Sequence, residues 1–557
     1  MFQDIEVKSD GIYEIKKDKE GNEFATKVAN HMSVINQEVN LDTNDHFVTL
    51  SFYPINGSDL VTLKVQASDI ASYNSLTKLS SKGVDIDETN KSKVIKALRK
   101  SRETAPYIKS HQTLGFVQRD GVLVFNHQLS YGLDEKSTYV GSLDIKPKGN
   151  EEVYMKMIES EVIGVLGLEL ALVFGVSSAM LGLINIRYPM ESLMIHLVGS
   201  SSSGKSTTAI LAASVWGNCN LRENGLLTSF NTTLNALQKR LSGNFGVIQC
   251  LDELNQYSGN DVTKLIYSLS EGRIRSRLNK ECEMNQLESW NTVILSTGEK
   301  GILSMASNNE GLRVRLFELT LDKWTQSATN STNIKTITAT NYGFLGIRFI
   351  EAIDSLGIDE VFNLYDQNRE YLLTKLNQNQ FTDRIAAKMA ILLTSADILE
   401  QYMDIKLDVG AIESFIISAA NEGLDVIDLS EKAFDSLKEY ISTNRNCFLT
   451  HSKQKSWNGV DITPRDCTGK VFLEANGEIE KVAIQIDSFK KIMKDLGFES
   501  PKLIIDAWDK KGWLEKEAGR KSARLVINNV KVGCYIIKVK EVEDELNKVG
   551  GCSGCIR

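Results

Sequence analysis

At 557 residues the chain is too long for one hydrophobic core, since domains average about 150 residues, so three or four are expected. A hydrophobic share of 42% with 24% charged residues excludes a disordered chain, and a net charge of −8 excludes a uniformly basic surface while leaving room for a local basic patch. Eight scattered cysteines, at 219, 250, 282, 447, 467, 534, 552 and 555, and a Met-Phe-Gln-Asp start exclude a dense disulfide framework and read as reduced thiols in a cytoplasmic protein.

Residues 1–150 read as a β-rich N-terminal domain. Alternating apolar runs at His46–Tyr53 and Leu60–Val65 flank Asn56-Gly57, and Gly115–Phe125 carries Asp120-Gly121 at its centre; both are hairpin signals. Lys91–Arg102 reads as a basic helix, either solvated or facing DNA.

From Glu151 the pattern turns helical. Val162–Ile186 is apolar enough to span a membrane, but Glu169, several glycines and two serines interrupt it, which favours two buried helices packed on a sheet and no membrane.

The short strand-like run Met194–Val198 then meets Gly199-Ser200-Ser201-Ser202-Ser203-Gly204-Lys205-Ser206, which fits GxxxxGK[ST] at every fixed position. Small residues let backbone N–H groups turn inward to cradle phosphate oxygens. Lys205 would meet the β- and γ-phosphates of ATP, Ser206 would bind Mg²⁺, and the helix opening at Thr207 would aim its positive end at the same anion.

Downstream, Val247–Leu251 is an apolar strand ending in Asp252-Glu253. This acidic pair suits a Mg²⁺-orienting carboxylate followed by a carboxylate that polarises the attacking water. A third run, Thr292–Thr297, ends in hydroxyls at a similar edge. Between these strands Arg273, Arg275 and Arg277 alternate ahead of Asn279-Lys280, reading as an inserted basic hairpin that grips DNA phosphates, or as an exposed hairpin paired with Glu281, Glu283 and Glu288. Arg313 and Arg315 then share one face of a strand-like run, as a phosphate-reaching arginine or as a salt-bridged pair.

Thr340–Asp404 is helical in period, suiting a lid over residues 331–430 that follows a core at 151–330, and no proline lies between Pro189 and Pro464. Residues 431–557 read as a winged helix: a helix at Asp487–Leu496, a second opening at Ser500-Pro501, then strands from Arg520 and Gly533. Between Lys481 and Lys540 stand 14 Lys or Arg against 7 Asp or Glu, the footprint of duplex binding through Lys502, Arg520, Lys521 and Arg524, although such modules also bind proteins. Cys552-Ser-Gly-Cys555 lacks the second ligand pair a metal site needs and reads as a tail.

Together HLVGSSSSGKST, SVWGN at Ser214–Asn218, LDEL at Leu251–Leu254, LSTGE at Leu295–Glu299 and RVRLFEL at Arg313–Leu319 resemble the MCM-like AAA+ replicative helicases of staphylococcal mobile elements, the cassette chromosomes and pathogenicity islands. The resemblance is good over the central part, moderate over the lid and poor over the N-terminal domain. It implies an α/β fold with an AAA+ P-loop core, a helical lid and a C-terminal winged helix. It further implies a homohexameric ring that hydrolyses ATP and moves 3′-to-5′ on single-stranded DNA. Lys205 and Ser206 then match Walker A, and Asp252 and Glu253 match Walker B. Thr297 or Ser296 takes the first sensor position, where MCM proteins usually have asparagine. Lys280 becomes the DNA-touching hairpin lysine, Arg315 ahead of Arg313 the arginine finger, and Arg384 the second sensor. The alternative is a nucleotide-switched DNA-binding initiator that does not unwind.

Overall fold

The alternating runs near the N-terminus contribute to three sheets in the computed structural model. It describes residues 5–542 apart from 222–223, 258, 260, 275–287, 305–309, 426–428, 453–466, 499–500, 518–519, 528–529 and 541. Strands β1 (Ile5–Val7), β2 (Gly11–Lys17) and β3 (Glu23–Asn30) make an antiparallel sheet. Next come β4 (Met32–Asn40), β5 (His46–Phe52), β6 (Val61–Gln66), α1 (Tyr73–Thr77), α2 (Lys91–Thr104), β7 (Tyr107–His111), β8 (Leu114–Arg119), β9 (Val122–Asn126), β10 (Ser130–Tyr131) and β11 (Thr138–Tyr139). The second sheet runs β11-β7-β4-β5-β6. Both hairpin signals are realised: β5 pairs with β6, and β8 with β9 through Asp120 and Gly121, both left-handed at φ 50° and 81°. The basic helix α2 buries Val94, Ile95, Ala97 and Leu98 in a core with Val48, Leu50 and Phe52, and Lys93 pairs outward with Glu14.

The expected boundary at residue 150 does not coincide with the packing. Strand β8 extends a sheet whose far member is β14 (Asn244–Phe245), and Leu114, Phe125, Leu143 and Ile145 lie in the core of the central body.

That body is built from α3 (Glu151–Met157), α4 (Leu166–Arg187), β12 (Leu193–Val198), α5 (Lys205–Ser214), β13 (Leu227–Ser229), α6 (Leu234–Leu241), β14, β15 (Gln249–Asp252), α7 (Val262–Ser270), β16 (Val293–Gly298), α8 (Glu310–Arg313) and β17 (Leu316–Thr320). A parallel sheet of order β13-β15-β16-β12-β17 crosses it. Strands β12 and β16 are buried along nearly their whole length, as expected where helices cover both faces of a parallel sheet; β12 is apolar but for His196, and β16 is apolar from Val293 to Leu295 before its hydroxyls. Where two helices were expected over Val162–Ile186, α4 is one helix. The mean hydropathy of 1.9 over its most apolar 18 residues would suit a membrane, yet that stretch is buried inside the protein, and only the last turn, with Ile186 and Arg187, is exposed. Glu169 is tolerated there because its carboxylate accepts the backbone N–H of Gly164 (2.7 Å) and of Asp408 (3.0 Å).

Helices α9 (Ala328–Thr338), α10 (Leu345–Leu356), α11 (Ile358–Lys375), α12 (Thr382–Gln401) and α13 (Val409–Asp425) occupy the segment expected as a lid. Their buried faces join the same core as α4 and α5, from Ile334 to Leu424. A separate core then fills residues 433–542, through Phe434, Phe489, Trp508 and Trp513. Its elements are α14 (Leu429–Thr443), β18 (Phe448–Ser452), β19 (Gly469–Leu473), β20 (Ile479–Gln485), α15 (Ile486–Asp495), α16 (Pro501–Lys510), β21 (Leu514–Glu515), β22 (Ala523–Ile527) and β23 (Val530–Ile537). The two helices and the β22–β23 ribbon follow the sequence reading. The sheet is larger than expected, β18-β19-β20-β23-β21 with β22 on β23.

Candidate functional site

The glycine-serine loop leaves β12 and turns into α5 at Gly204, whose φ of 100° no residue with a Cβ adopts readily. A Cβ there would also come within 2.5 Å of Thr325 Oγ1, and one at Gly199 within 2.8 Å of Ser203 Oγ. Ser202 is left-handed as well, at φ 64°, while Ser200 and Ser201 are exposed. The Lys205 ammonium is folded back into the loop, donating to the carbonyls of Gly199 (2.9 Å) and Ser200 (2.7 Å). Burial lowers its pKa, with Glu299 and Asp252 opposing the shift.

Three neighbouring strand ends converge beside this loop. Asp252 Oδ1, at the end of β15, accepts the hydroxyls of Ser206 (3.0 Å) and Thr297 (2.6 Å). Thr297 Oγ1 in turn accepts the backbone N–H of Glu253 at 3.1 Å. Ser296, the other hydroxyl at the end of β16, is buried; its Oγ lies 2.8 Å from His196 Nδ1 and donates to the Ile195 carbonyl. Burial pushes His196 down to about 4 and so keeps it neutral. The structure thus brings Thr297 to Asp252 and turns Ser296 away. Ser206, Asp252 and Thr297 offer hard oxygen ligands of the kind Mg²⁺ takes. Glu253, left-handed at φ 59°, projects outward, and its carboxylate accepts from Gln256 Nε2, whose own Oε1 accepts from Ser229 at 2.6 Å.

The arginines lie elsewhere. Arg313 ends α8 and Arg315 precedes β17, so they do not share a strand face as the alternation suggested; the short helix breaks the period. Arg315 donates to Glu191 (2.7 Å) and lies over the Tyr267 ring, 4.7 Å from its centroid. Arg384 reaches the other oxygen of Glu191 at 3.4 Å, and Lys388 approaches it at 3.7 Å. Glu191 precedes β12, so this cluster sits at the strand starts, opposite the Gly199–Ser206 loop, with six residues of strand between them, roughly 20 Å. Arg384 is accordingly not beside the loop of its own chain. Arg313 is half-buried, and burial lowers its pKa against the attraction of Glu318.

Lys388 is buried, donates to the Val314 carbonyl, and is pushed down to about 8 by burial, opposed by Glu191. Its ordinary value is 10.5, so between these values the unfolded lysine holds a proton that the folded one has shed, and stability rises with pH across that window. Lys388→Met should lack this rise, a difference of up to about 1.4 kcal/mol per pH unit, readable from denaturant midpoints of both proteins at pH 7.5 and 9.5.

Among the expected DNA-contacting residues, Arg273 is exposed at a stem where it bridges Ser289 and where Ile274 N–H donates to the Glu288 carbonyl. Arg275, Arg277 and Lys280 fall outside the described residues, as do Cys552 and Cys555. Lys502, Arg520 and Arg524 are exposed in the C-terminal module. Lys521 is held by Asp506 (2.8 Å) and Asp509 (3.5 Å) of α16, so the basic surplus is partly neutralised within the module.

Sequence reasoning missed one wall of the cleft. Its 470 Å³ are lined on one side by Ser202–Thr207 and on the other by Lys323, Thr325, Gln326, Ser327, Ala328, Ser331, Thr332 and Lys335. No spacing rule marks such residues, and Ser229 and Gln256 were equally unmarked.

The family described as a domain of unknown function, DUF927, matches residues 5–289, and that of the Cch helix-turn-helix domain matches residues 428–542. Among solved structures, the one described as "SCCmec type IV Cch - active helicase" is 24% identical and superimposes with a TM-score of 0.77, covering 97% of this chain and 98% of that one. No curated protein matches the chain. The DUF927 match takes in more than half of the sequence, and the chain therefore belongs to the DUF927 family, with a helix-turn-helix domain at its C-terminal end.

Proposed function

We propose that this protein is an ATP-hydrolysing DNA helicase that serves replication of a mobile genetic element. The observation that carries the reading is the meeting of Ser206, Asp252 and Thr297 beside a loop with Lys205 at its end. Lys205 would leave the Gly199 and Ser200 carbonyls for the β- and γ-phosphates, and the freed N–H groups of the loop would hold the same oxygens. Mg²⁺, held by Ser206 and Asp252, would neutralise phosphate charge, while Glu253 orients the attacking water and Thr297 senses the γ-phosphate.

The finer reading is an MCM-like AAA+ ring. A third strand, carrying Thr297, stands between the phosphate-loop strand and the acidic strand, which suits an AAA+ core. Arg315 and Arg384, remote from the loop of their own chain, suit a homohexamer in which they reach a neighbour's nucleotide. The likeness over nearly the whole chain to a structure described as an active helicase supports unwinding; the 3′-to-5′ polarity along one strand is what the sequence resemblance implies. The C-terminal module would engage duplex DNA through Lys502, Arg520, Lys521 and Arg524, loading or orienting the ring.

Strand displacement on partial duplexes with a 3′ or a 5′ tail, in ATP and Mg²⁺, tests this. Displacement from the 3′-tailed substrate alone is expected. Hydrolysis and duplex binding with no displacement of either substrate would favour a nucleotide-switched initiator. Lys280→Ala should lose displacement at least 10-fold and keep most of its ATP hydrolysis, because a contact to DNA phosphate would transmit force without entering the chemistry. Equal losses of both activities would remove Lys280 from the DNA path.

A further inference from the structure

The second wall of the cleft is clamped to the phosphate loop. Trp324, fully buried, donates its backbone N–H to the Ser203 carbonyl (2.7 Å) and its indole Nε1 to the Val198 carbonyl (3.1 Å). Thr325 packs where a side chain at Gly204 would stand, and Thr207 Oγ1 hydrogen-bonds Ser331 Oγ. This fixes α9 so that Ala328, Ser331, Thr332 and Lys335, spaced three and four apart, present one helix face to the cleft. Its N-terminal end, capped by Ser327, opens on the same space and adds positive potential to that of α5.

Lys335 and Lys323 are exposed and line this cleft together with Lys205. No carboxylate and no aromatic ring lines it among the described residues. Three ammonium groups, two helix N-termini and a row of hydroxyls form a lining suited to an anion with several charges, and offer nothing on which a base could stack. Lysine acts here as a flexible point charge that can follow a phosphate chain.

We propose that Lys335 and Lys323 grip the phosphate chain of a nucleoside di- or triphosphate in cis, from the same protomer that supplies the phosphate loop. They take the role that the sequence resemblance gave to Arg384, which lies at the other end of the sheet. The inference rests on the nucleotide-site reading above. It adds a cationic wall that answers to the nucleotide before any neighbour is engaged, and through Thr207, Ser331 and Trp324 it couples phosphate occupancy to the position of α9.

The test compares wild type with Lys335→Gln, Lys323→Gln and the double variant, using fluorescent ADP in Mg²⁺ and competition by ATP and by adenosine. Both lysines are exposed, so folding should be unaffected, and melting without nucleotide checks this. The double variant should bind ADP and ATP at least 10-fold more weakly, with a shallower salt dependence and an unchanged affinity for adenosine. An unchanged affinity for ADP overturns the proposal, as does an equal loss for adenosine. Mixing the double variant with Lys205→Ala subunits separates cis from trans: a cis grip predicts no recovery of hydrolysis, and recovery overturns it. Wild type that binds no ADP would instead sink the nucleotide-site reading itself.

Discussion

Glu253→Gln is expected to bind ATP with near wild-type affinity and to hydrolyse it about 10²- to 10³-fold more slowly, the scale on which a single positioned catalytic group acts. In the proposed site Glu253 would face the attacking water and not the phosphates, since it is exposed beside the Gly199–Ser206 loop's partner Asp252. Its backbone N–H is fixed by Thr297 Oγ1, its left-handed φ of 59° throws the side chain outward, and Gln256 holds the carboxylate. Glutamine keeps the shape and loses the charge that would polarise water. Asp252→Asn should behave differently. Its oxygen accepts from both Ser206 and Thr297, so the change weakens Mg²⁺ binding and disturbs both hydroxyls, and nucleotide affinity should fall together with turnover. Steady-state hydrolysis with ADP and ATP affinities for each variant decides this. If Glu253→Gln retained more than a tenth of wild-type turnover, the water-activating role would have to pass to another group.

How far the molecule was legible beforehand depended on how local each signal was. The strand–turn–helix around Gly199–Ser206, the strand ending in Asp252, the Asn56-Gly57 and Asp120-Gly121 hairpins and the β22–β23 ribbon are written in contiguous residues, and these backbone elements appear where expected. Features assembled from distant segments did not show. The parallel pairing of Leu114 with Asn244 draws β8 and β9 toward the central core, and nothing near residue 150 announces it. Glu191 lies far in sequence from Arg315, Arg384 and Lys388, so three cations on one carboxylate have no spacing to read. Alternating Arg313 and Arg315 imitated a strand because a single turn of helix followed by a strand start gives the same local pattern. The Lys323–Lys335 wall had no signature at all, since its members acquire a common purpose only when Trp324 pins them against the phosphate loop.

Trp216→Ala should destabilise the central body by about 3–5 kcal/mol, the range for removing a fully buried large aromatic side chain. Within SVWGN this tryptophan could be taken for a site residue, yet its contacts are those of a keystone. Its Nε1 donates to the Gly175 carbonyl of α4 at 2.8 Å, its own carbonyl accepts from His127 Nε2 at 2.8 Å, and its ring lies 5.3 Å from that of Phe125 in β9. On the far side α10 approaches so closely that a Cβ on Gly346 would fall 2.3 Å from the ring. The residue therefore joins β9, α4 and α10 immediately behind α5, the helix that carries Lys205 and Ser206. Gly346→Ala should destabilise the same unit from the opposite side, by about 1–3 kcal/mol, because the overpacked ring has no space to move into. The two losses should not add, since removing the indole also removes the clash: the double variant should be close to Trp216→Ala alone. Urea midpoints followed by far-ultraviolet circular dichroism, which does not depend on the tryptophan removed, measure all three. Full additivity would show that Gly346 is required by its backbone and not by the ring, and would separate α10 from the support of the nucleotide site.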